Sequence, residues 1–148
     1  MNMKIDWKKI LPYAVAIIAF VAIAMIYCAP LLEGKVLVQG DVNNWKGAAQ
    51  EARTFYDEHG YSPWWTNSIF SGMPTYQIAP SYDSVKTMAF VEKAYHLWFP
   101  DYVWYIFASM LGFYILLRAF DFRQWMAALG AVVWAFSSYF FIIIAAGH

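Results

Sequence analysis

The chain has 148 residues, of which 61% are hydrophobic and only 14% charged, whereas soluble domains carry about a quarter charged residues. The formal net charge is zero and no basic stripe runs through the sequence, which excludes nucleic acid as a partner. Cys28 is the single cysteine, so there is no intrachain disulfide, and nothing has the paired Cys or His spacing of a zinc site.

Residues 10–27, 102–117 and 125–146 contain no charged side chain. At about 1.5 Å per residue the first and third runs reach roughly 27 to 33 Å as helices and the second roughly 24 Å, against a hydrocarbon core of about 30 Å. The second run is also read as a span, because Trp98 and Phe99 precede it and Arg118 can extend its charged head to the interface. The expected order is a tail over 1–9, a transmembrane helix over 10–29, a long loop over 30–100, a second helix over 101–118, a tight turn over 119–124 and a third helix over 125–146. The fold class is therefore an all-α membrane protein.

Lys4, Lys8 and Lys9 precede the first run, a pattern shared with secretory signal peptides. Cleavage needs small residues before the cut, yet Tyr27 stands before Cys28 and Pro30 follows Ala29, which favours an uncleaved anchor. The same lysines, with Arg118 and Arg123 in the tight turn, orient both segments toward the cytoplasm. Long loops translocate largely regardless of charge, so the 30–100 loop and His148 are expected on the outer face.

Within the loop, Trp45, Ala48, Ala49, Ala52, Phe55 and Tyr56 recur at helical spacing, opposite Asn44, Lys46, Gln50, Glu51, Arg53 and Asp57. This predicts an amphipathic helix near 42–59 lying along the membrane surface, with Asp41 as N-cap and Gly60 as a left-handed stop. A second apolar stripe, Val85, Met88, Ala89, Val91, Tyr95 and Trp98, predicts an interfacial helix near 83–98. Between them, residues 61–80 are rich in aromatic and turn residues and form the expected ligand surface. His59 is expected at a helix terminus, and His96 as a solvated or interfacial side chain.

Ala108 and Gly112 in the second span, and Ala127, Ala131 and Ala135 in the third, are small residues at every fourth position, a spacing that permits close helix contact. The short turn makes these two spans antiparallel neighbours. An apolar run ends the sequence, with Trp134, Tyr139 and Phe140 on faces that three spans would leave to lipid. The expectation is a chain truncated after 148, with further C-terminal helices to cover them.

The ordered strings Pro30-Leu31-Leu32-Glu33-Gly34-Lys35, Gln39-Gly40-Asp41, Trp45-Lys46-Gly47, Trp65-Thr66-Asn67-Ser68, Gly72-Met73-Pro74 and Tyr76-Gln77 resemble the YfhO-like membrane proteins of Bacteroidetes-type bacteria. Ala135-Phe136-Ser137-Ser138-Tyr139-Phe140 and the closing Ala145, Gly147 and His148 are similar as well. That family is regarded as similar to the GT-C glycosyltransferases, polytopic enzymes of the cytoplasmic membrane that pass a sugar from a polyprenyl-phosphate carrier to an acceptor outside it. The resemblance implies the N-terminal part of a larger GT-C-like bundle, with membrane lipid, a polyprenyl-phosphate sugar donor and a cell-envelope glycan or polymer acceptor as partners. It also implies an acidic active-site residue in the first outer loop, and Asp41 is the matching position.

Glycosyl transfer with inversion needs a carboxylate beside the acceptor hydroxyl, an action worth typically about 10²- to 10⁴-fold. Asp41 lies roughly ten residues beyond the first span, and Gly40 would let the backbone approach closely. The paired acidic motif of metal-dependent relatives is missing, because Gln39 stands where a second carboxylate would be. A divalent metal is thus unsupported, and the cofactor is left open. Each residue also has a plainer role: Asp41 as a helix cap, Trp64 and Trp65 as interface anchors rather than sugar platforms, Asn67 and Gln77 as partners for loop backbone rather than sugar hydroxyls. His148 is a candidate substrate contact on the same face as Asp41. The rival to an enzyme is a non-catalytic membrane subunit, an assembly factor or transporter component, whose loop is a docking surface. Transport is disfavoured by the lack of ionisable residues over 10–27 and 125–146.

Overall fold

The structure is a computed structural model that describes residues 7–79 and 83–147. In chain order its helices are α1 (Trp7–Tyr27), α2 (Ala29–Leu32), α3 (Gly40–Ala48), α4 (Gln50–His59), α5 (Asp83–Tyr95), α6 (Asp101–Ala119), α7 (Gln124–Ala135) and α8 (Ser138–Ala146). Two short strands, β1 (Trp65–Thr66) and β2 (Met73–Pro74), and a 3₁₀ turn, Thr75–Gln77, lie between α4 and α5. Among the described residues, three helices are long and apolar enough to cross a membrane: Trp7–Tyr27, Asp101–Ala119 and Gln124–Ala146. The chain divides into two compact units, Met1–Leu37 with Phe99–Ile142, and Val38–Trp98 with Ile143–His148.

In the first unit α6 packs along α7, and α1 packs against α6. The buried side of α1 is Ala16, Phe20 and Ala24, and that of α7 is Ala127, Ala131 and Ala135, one residue per turn in each case. Small residues let the backbones approach, which in lipid matters more than hydrophobicity because the surroundings are equally apolar. The alanine stripe of α7 is thus used as its spacing predicts. The second span differs: Gly112 is exposed with nothing within 4 Å of an added Cβ, and α6 instead buries Val103, Trp104, Ile106, Phe107, Met110 and Tyr114. Large α6 side chains fill the space that the alanines of α1 and α7 leave, and Phe20 of α1 meets the Tyr114 ring edge-on at 5.4 Å. Gly130 marks a close approach missed by the sequence reading, since a Cβ there would lie 2.7 Å from Leu117 Cδ1.

One end of this unit is tied by polar groups. Arg118 donates through Nη2 to the Tyr13 hydroxyl at 2.9 Å and through Nη1 to the Phe122 carbonyl, while Gln124 donates to the Tyr114 hydroxyl. Helix α6 closes with a Schellman pattern, Asp121 N–H to Arg118 O and Phe122 N–H to Leu117 O, with Asp121 at φ 61°. Aromatic rings gather elsewhere, with Tyr27 on Phe136 at 5.1 Å and Phe113 stacked on Trp134 at 4.7 Å. Trp134 therefore has an intrachain partner, whereas Tyr139 stays 66% exposed.

Three element boundaries depart from expectation. The third span is interrupted at Phe136 and Ser137, where the Ser137 N–H bonds only three residues back, to Trp134 O at 3.1 Å, and the helical ladder opens. The helix expected near 42–59 is two helices meeting at Ala49, whose ψ of −4° opens the turn two residues after Gly47. Helix α5 stops at Tyr95 because Leu97 and Trp98 take positive φ, with Trp98 N–H bonding to Lys93 O and Leu97 N–H to Ala94 O. As expected, Gly60 ends α4 in the left-handed conformation, at φ 76°.

Overpacking the α7 stripe tests this arrangement. Ala131→Leu is expected to lower stability by about 1–3 kcal/mol, read as a fall in the thermal unfolding midpoint in detergent. Leu129→Ala, at a position 58% exposed, is expected to change it by less than about 0.5 kcal/mol.

Candidate functional site

The second unit buries few large side chains. Among the described residues its buried ones are Gln39, Ala49, Ala52, Thr66, Thr75 and His96, a set in which hydrogen-bonding side chains outnumber apolar ones. His96 is 4% exposed, which corrects the expectation of a solvated or interfacial ring. Its position in the closing turn of α5, with its N–H on Glu92 O, turns the ring inward. His59 sits at a helix terminus as expected, with Nδ1 3.0 Å from Phe55 O and its ring stacked on Phe55.

Asp41 is not the N-cap of α3. The cap is Gln39, in extended conformation and without a side-chain cap bond, and Asp41 follows Gly40 inside the first turn. A carboxylate there is favoured by the amide dipoles at the helix start, and the side chain is exposed. Space beside Gly40 is open, with nothing within 4 Å of an added Cβ. The close approach is at Gly147, at φ 113°, where a Cβ would lie 2.8 Å from Val42 Cγ2 and 3.4 Å from Gln39 Cβ. Gln39 Nε2 donates to Ile144 O at 2.5 Å, a carbonyl in the last turn of α8, where helical carbonyls call for partners from outside the helix. The start of α3 is thereby joined to the end of the third membrane-length helix. His148 lies outside the described residues.

One turn beyond Asp41, on the same face, Trp45 Nε1 donates to Ile78 O at 2.5 Å, and the Arg53 guanidinium lies 4.4 Å from the Trp45 ring centroid. This contact pins the chain just after Gln77, whose amide donates to the Tyr76 hydroxyl at 3.3 Å. The remaining candidates belong to the β1–β2 hairpin, in which Trp65 pairs with Pro74 and Thr66 with Met73. Trp64 is 75% and Trp65 56% exposed. One edge of Trp65 lies over Gly72, where an added Cβ would come within 2.6 Å of its Nε1.

The hairpin is held by Glu51, a residue that helical periodicity assigned only to a polar face. Its Oε2 accepts from Thr66 Oγ1 at 2.5 Å and from the Asn67 N–H at 2.9 Å. Ser68 Oγ donates to Ala48 O at 2.7 Å, at the end of α3. These bonds use the Thr66-Asn67-Ser68 string structurally, and they hold it at the junction of α3 and α4, at the opposite end of α3 from Asp41. The contacts thus seat Gln39 and Val42, the residues flanking Gly40 and Asp41, against Ile144 and Gly147, while Thr66 and Asn67 are anchored through Glu51. Gln39 and Gly147 were quoted as motif residues, but nothing in their local sequence announced that they meet. Among the described residues no three His, Cys, Asp or Glu side chains are grouped so as to hold a metal ion. No family model, no curated protein and no solved structure matches the chain.

The hydrogen bonds from Thr66 and Asn67 lower the Glu51 carboxyl below its ordinary value. A carboxylate lowered on folding contributes stability above the unfolded glutamate value, and that contribution is lost as pH falls through the folded one. Limited proteolysis at residues 67–72 is therefore expected to rise as pH drops through this acidic window. Glu51→Ala is expected to show the raised cleavage at neutral pH and to lose the pH dependence.

Proposed function

We propose that this chain supplies the acceptor-activating carboxylate, Asp41, of an integral glycosyltransferase of a bacterial cytoplasmic membrane, acting on a polyprenyl-phosphate-linked sugar at the outer face. The supporting observation is the bond from Gln39 Nε2 to Ile144 O, which fastens the Asp41 segment to the end of a helix long and apolar enough to span a membrane. A lipid-carried phosphosugar presents its reacting carbon near such a helix end. Asp41 is exposed there without serving as the helix cap.

In this reading Asp41 accepts the proton of the acceptor hydroxyl as that oxygen bonds to the anomeric carbon. The bond from that carbon to the carrier phosphate breaks with its electron pair leaving on phosphate, through an oxocarbenium-like transition state. Trp64 and Trp65 offer exposed rings for a sugar face, and Gln77 and His148 complete the proposed substrate contacts. Asn67 contributes through its backbone N–H to the Glu51 latch, so its share in substrate binding falls to its side-chain amide.

Asp41→Asn, in the protein as the cell makes it, is expected to lower glycosyl transfer by about 10²- to 10⁴-fold with protein abundance unchanged. Transfer by the variant at the parental rate removes Asp41 from the chemistry, and loss of the protein assigns Asp41 a structural role. The proposed sidedness is checked with topology reporters. A reporter after Gly60 is expected outside the cytoplasm and one after Phe120 inside, and the reverse pattern would put Asp41 on the wrong side for a carrier-linked donor.

A further inference from the structure

From residue 61 to residue 79 the sequence contains no Asp, Glu, Lys, Arg or His, although it carries Tyr61, Trp64, Trp65, Phe70 and Tyr76. All five rings are exposed, Phe70 most of all at 86%. An uncharged aromatic surface of this kind is a poor match to water. Nor is the segment loose. Glu51 holds Thr66 and Asn67, Thr75 Oγ1 donates to the Pro63 carbonyl, Thr75 N–H bonds to Trp64 O at 3.1 Å, and Gly72 lies under Trp65. At the tip, Phe70 and Ser71 have φ of 54° and 58°, a left-handed conformation that is costly for a bulky side chain. The surrounding bonds therefore keep the phenyl ring turned outward when local preference would not.

We propose that this hairpin is a lipid anchor, with Phe70 and Ser71 at the headgroup layer of the bilayer and the neighbouring tryptophans at the same interface. The occupant is argued from the chain itself. The segment holding the hairpin is joined in sequence at one end to α1 and at the other to α6, both long and apolar enough to span a membrane, so a lipid surface is always within its tether. Rings with one apolar and one polar side favour that depth, whereas charged side chains do not. The stretch 61–79 itself offers no charged side chain that would direct a protein partner. The inference does not rest on the role of Asp41.

The test uses the full chain in nanodiscs of phosphatidylcholine. Phe70→Cys is made in a Cys28→Ala background, since Cys28 is the other thiol, and labelled with an environment-sensitive fluorophore. Glu58→Cys, an exposed position on α4, is the reference. The expected result at position 70 is a blue-shifted emission, quenching by a lipid carrying a headgroup nitroxide, and loss of the iodide quenching seen at position 58. Iodide quenching equal to that at position 58, without lipid quenching, overturns the proposal. Protection from both quenchers also overturns it, because it indicates a protein contact. Ser71→Cys gives the same readings from a second position with a near-isosteric change, and the same lipid quenching in Asp41→Asn separates the anchor from the chemistry.

Discussion

A peptide group in hydrocarbon has no water to bond, and each unpaired one costs several kcal/mol. That constraint forces the uncharged runs of this chain to be helices before any side-chain preference is consulted. It also explains how they pack. Where lipid offers the same apolar contact as a neighbouring helix, association depends on close fit, and the buried alanines of α7, with Ala16 and Ala24 beside Phe20 on α1, are accordingly set against large residues on α6. Polar side chains in the spans are paired in the same way, Arg118 with the Tyr13 hydroxyl and Gln124 with the Tyr114 hydroxyl.

The second unit is built differently. Among its described residues the buried set is alanines, threonines, one glutamine and one histidine, and charge-assisted and other side-chain hydrogen bonds carry much of its specificity. Glu51 ties the hairpin to α4, Trp45 ties the segment after Gln77 to α3, and Gln39 ties α3 to the last turn of α8. Each is one side chain reaching a backbone or hydroxyl group far away in sequence. Such bonds are directional, so they fix positions within the unit while leaving the carboxylate of Asp41 and the rings of the hairpin exposed.

What could be read from the residues follows from the range of the interaction concerned. The spans were legible because length and absence of charge are local properties, and the alanines of α7 because their spacing is a property of one helix. Gly60 was legible for the same reason. The breaks at Ala49 and Phe136 were not, since a one-residue opening leaves the apolar pattern intact. Periodicity sorted Glu51 correctly onto a polar face, but the partner that gives it a role lies 15 residues away. For Gln39 and Ile144 the separation is 105 residues, beyond any local signal. Asp41 was misread as a cap because residue preference cannot distinguish the cap from the first turn two positions later. Gly147 shows the same limit: composition marks it as permissive, and only the packing reveals the close approach that needs it.

The proposed chemistry therefore depends on a tertiary contact, the seating of the Asp41 segment on the end of the third apolar helix. The most direct measurement is photo-crosslinking from Val42, substituted with a benzophenone amino acid in native membranes, with adducts mapped by mass spectrometry. The account predicts adducts in the peptide containing residues 143–147. Adducts confined to lipid, or to peptides elsewhere in the chain, would contradict it.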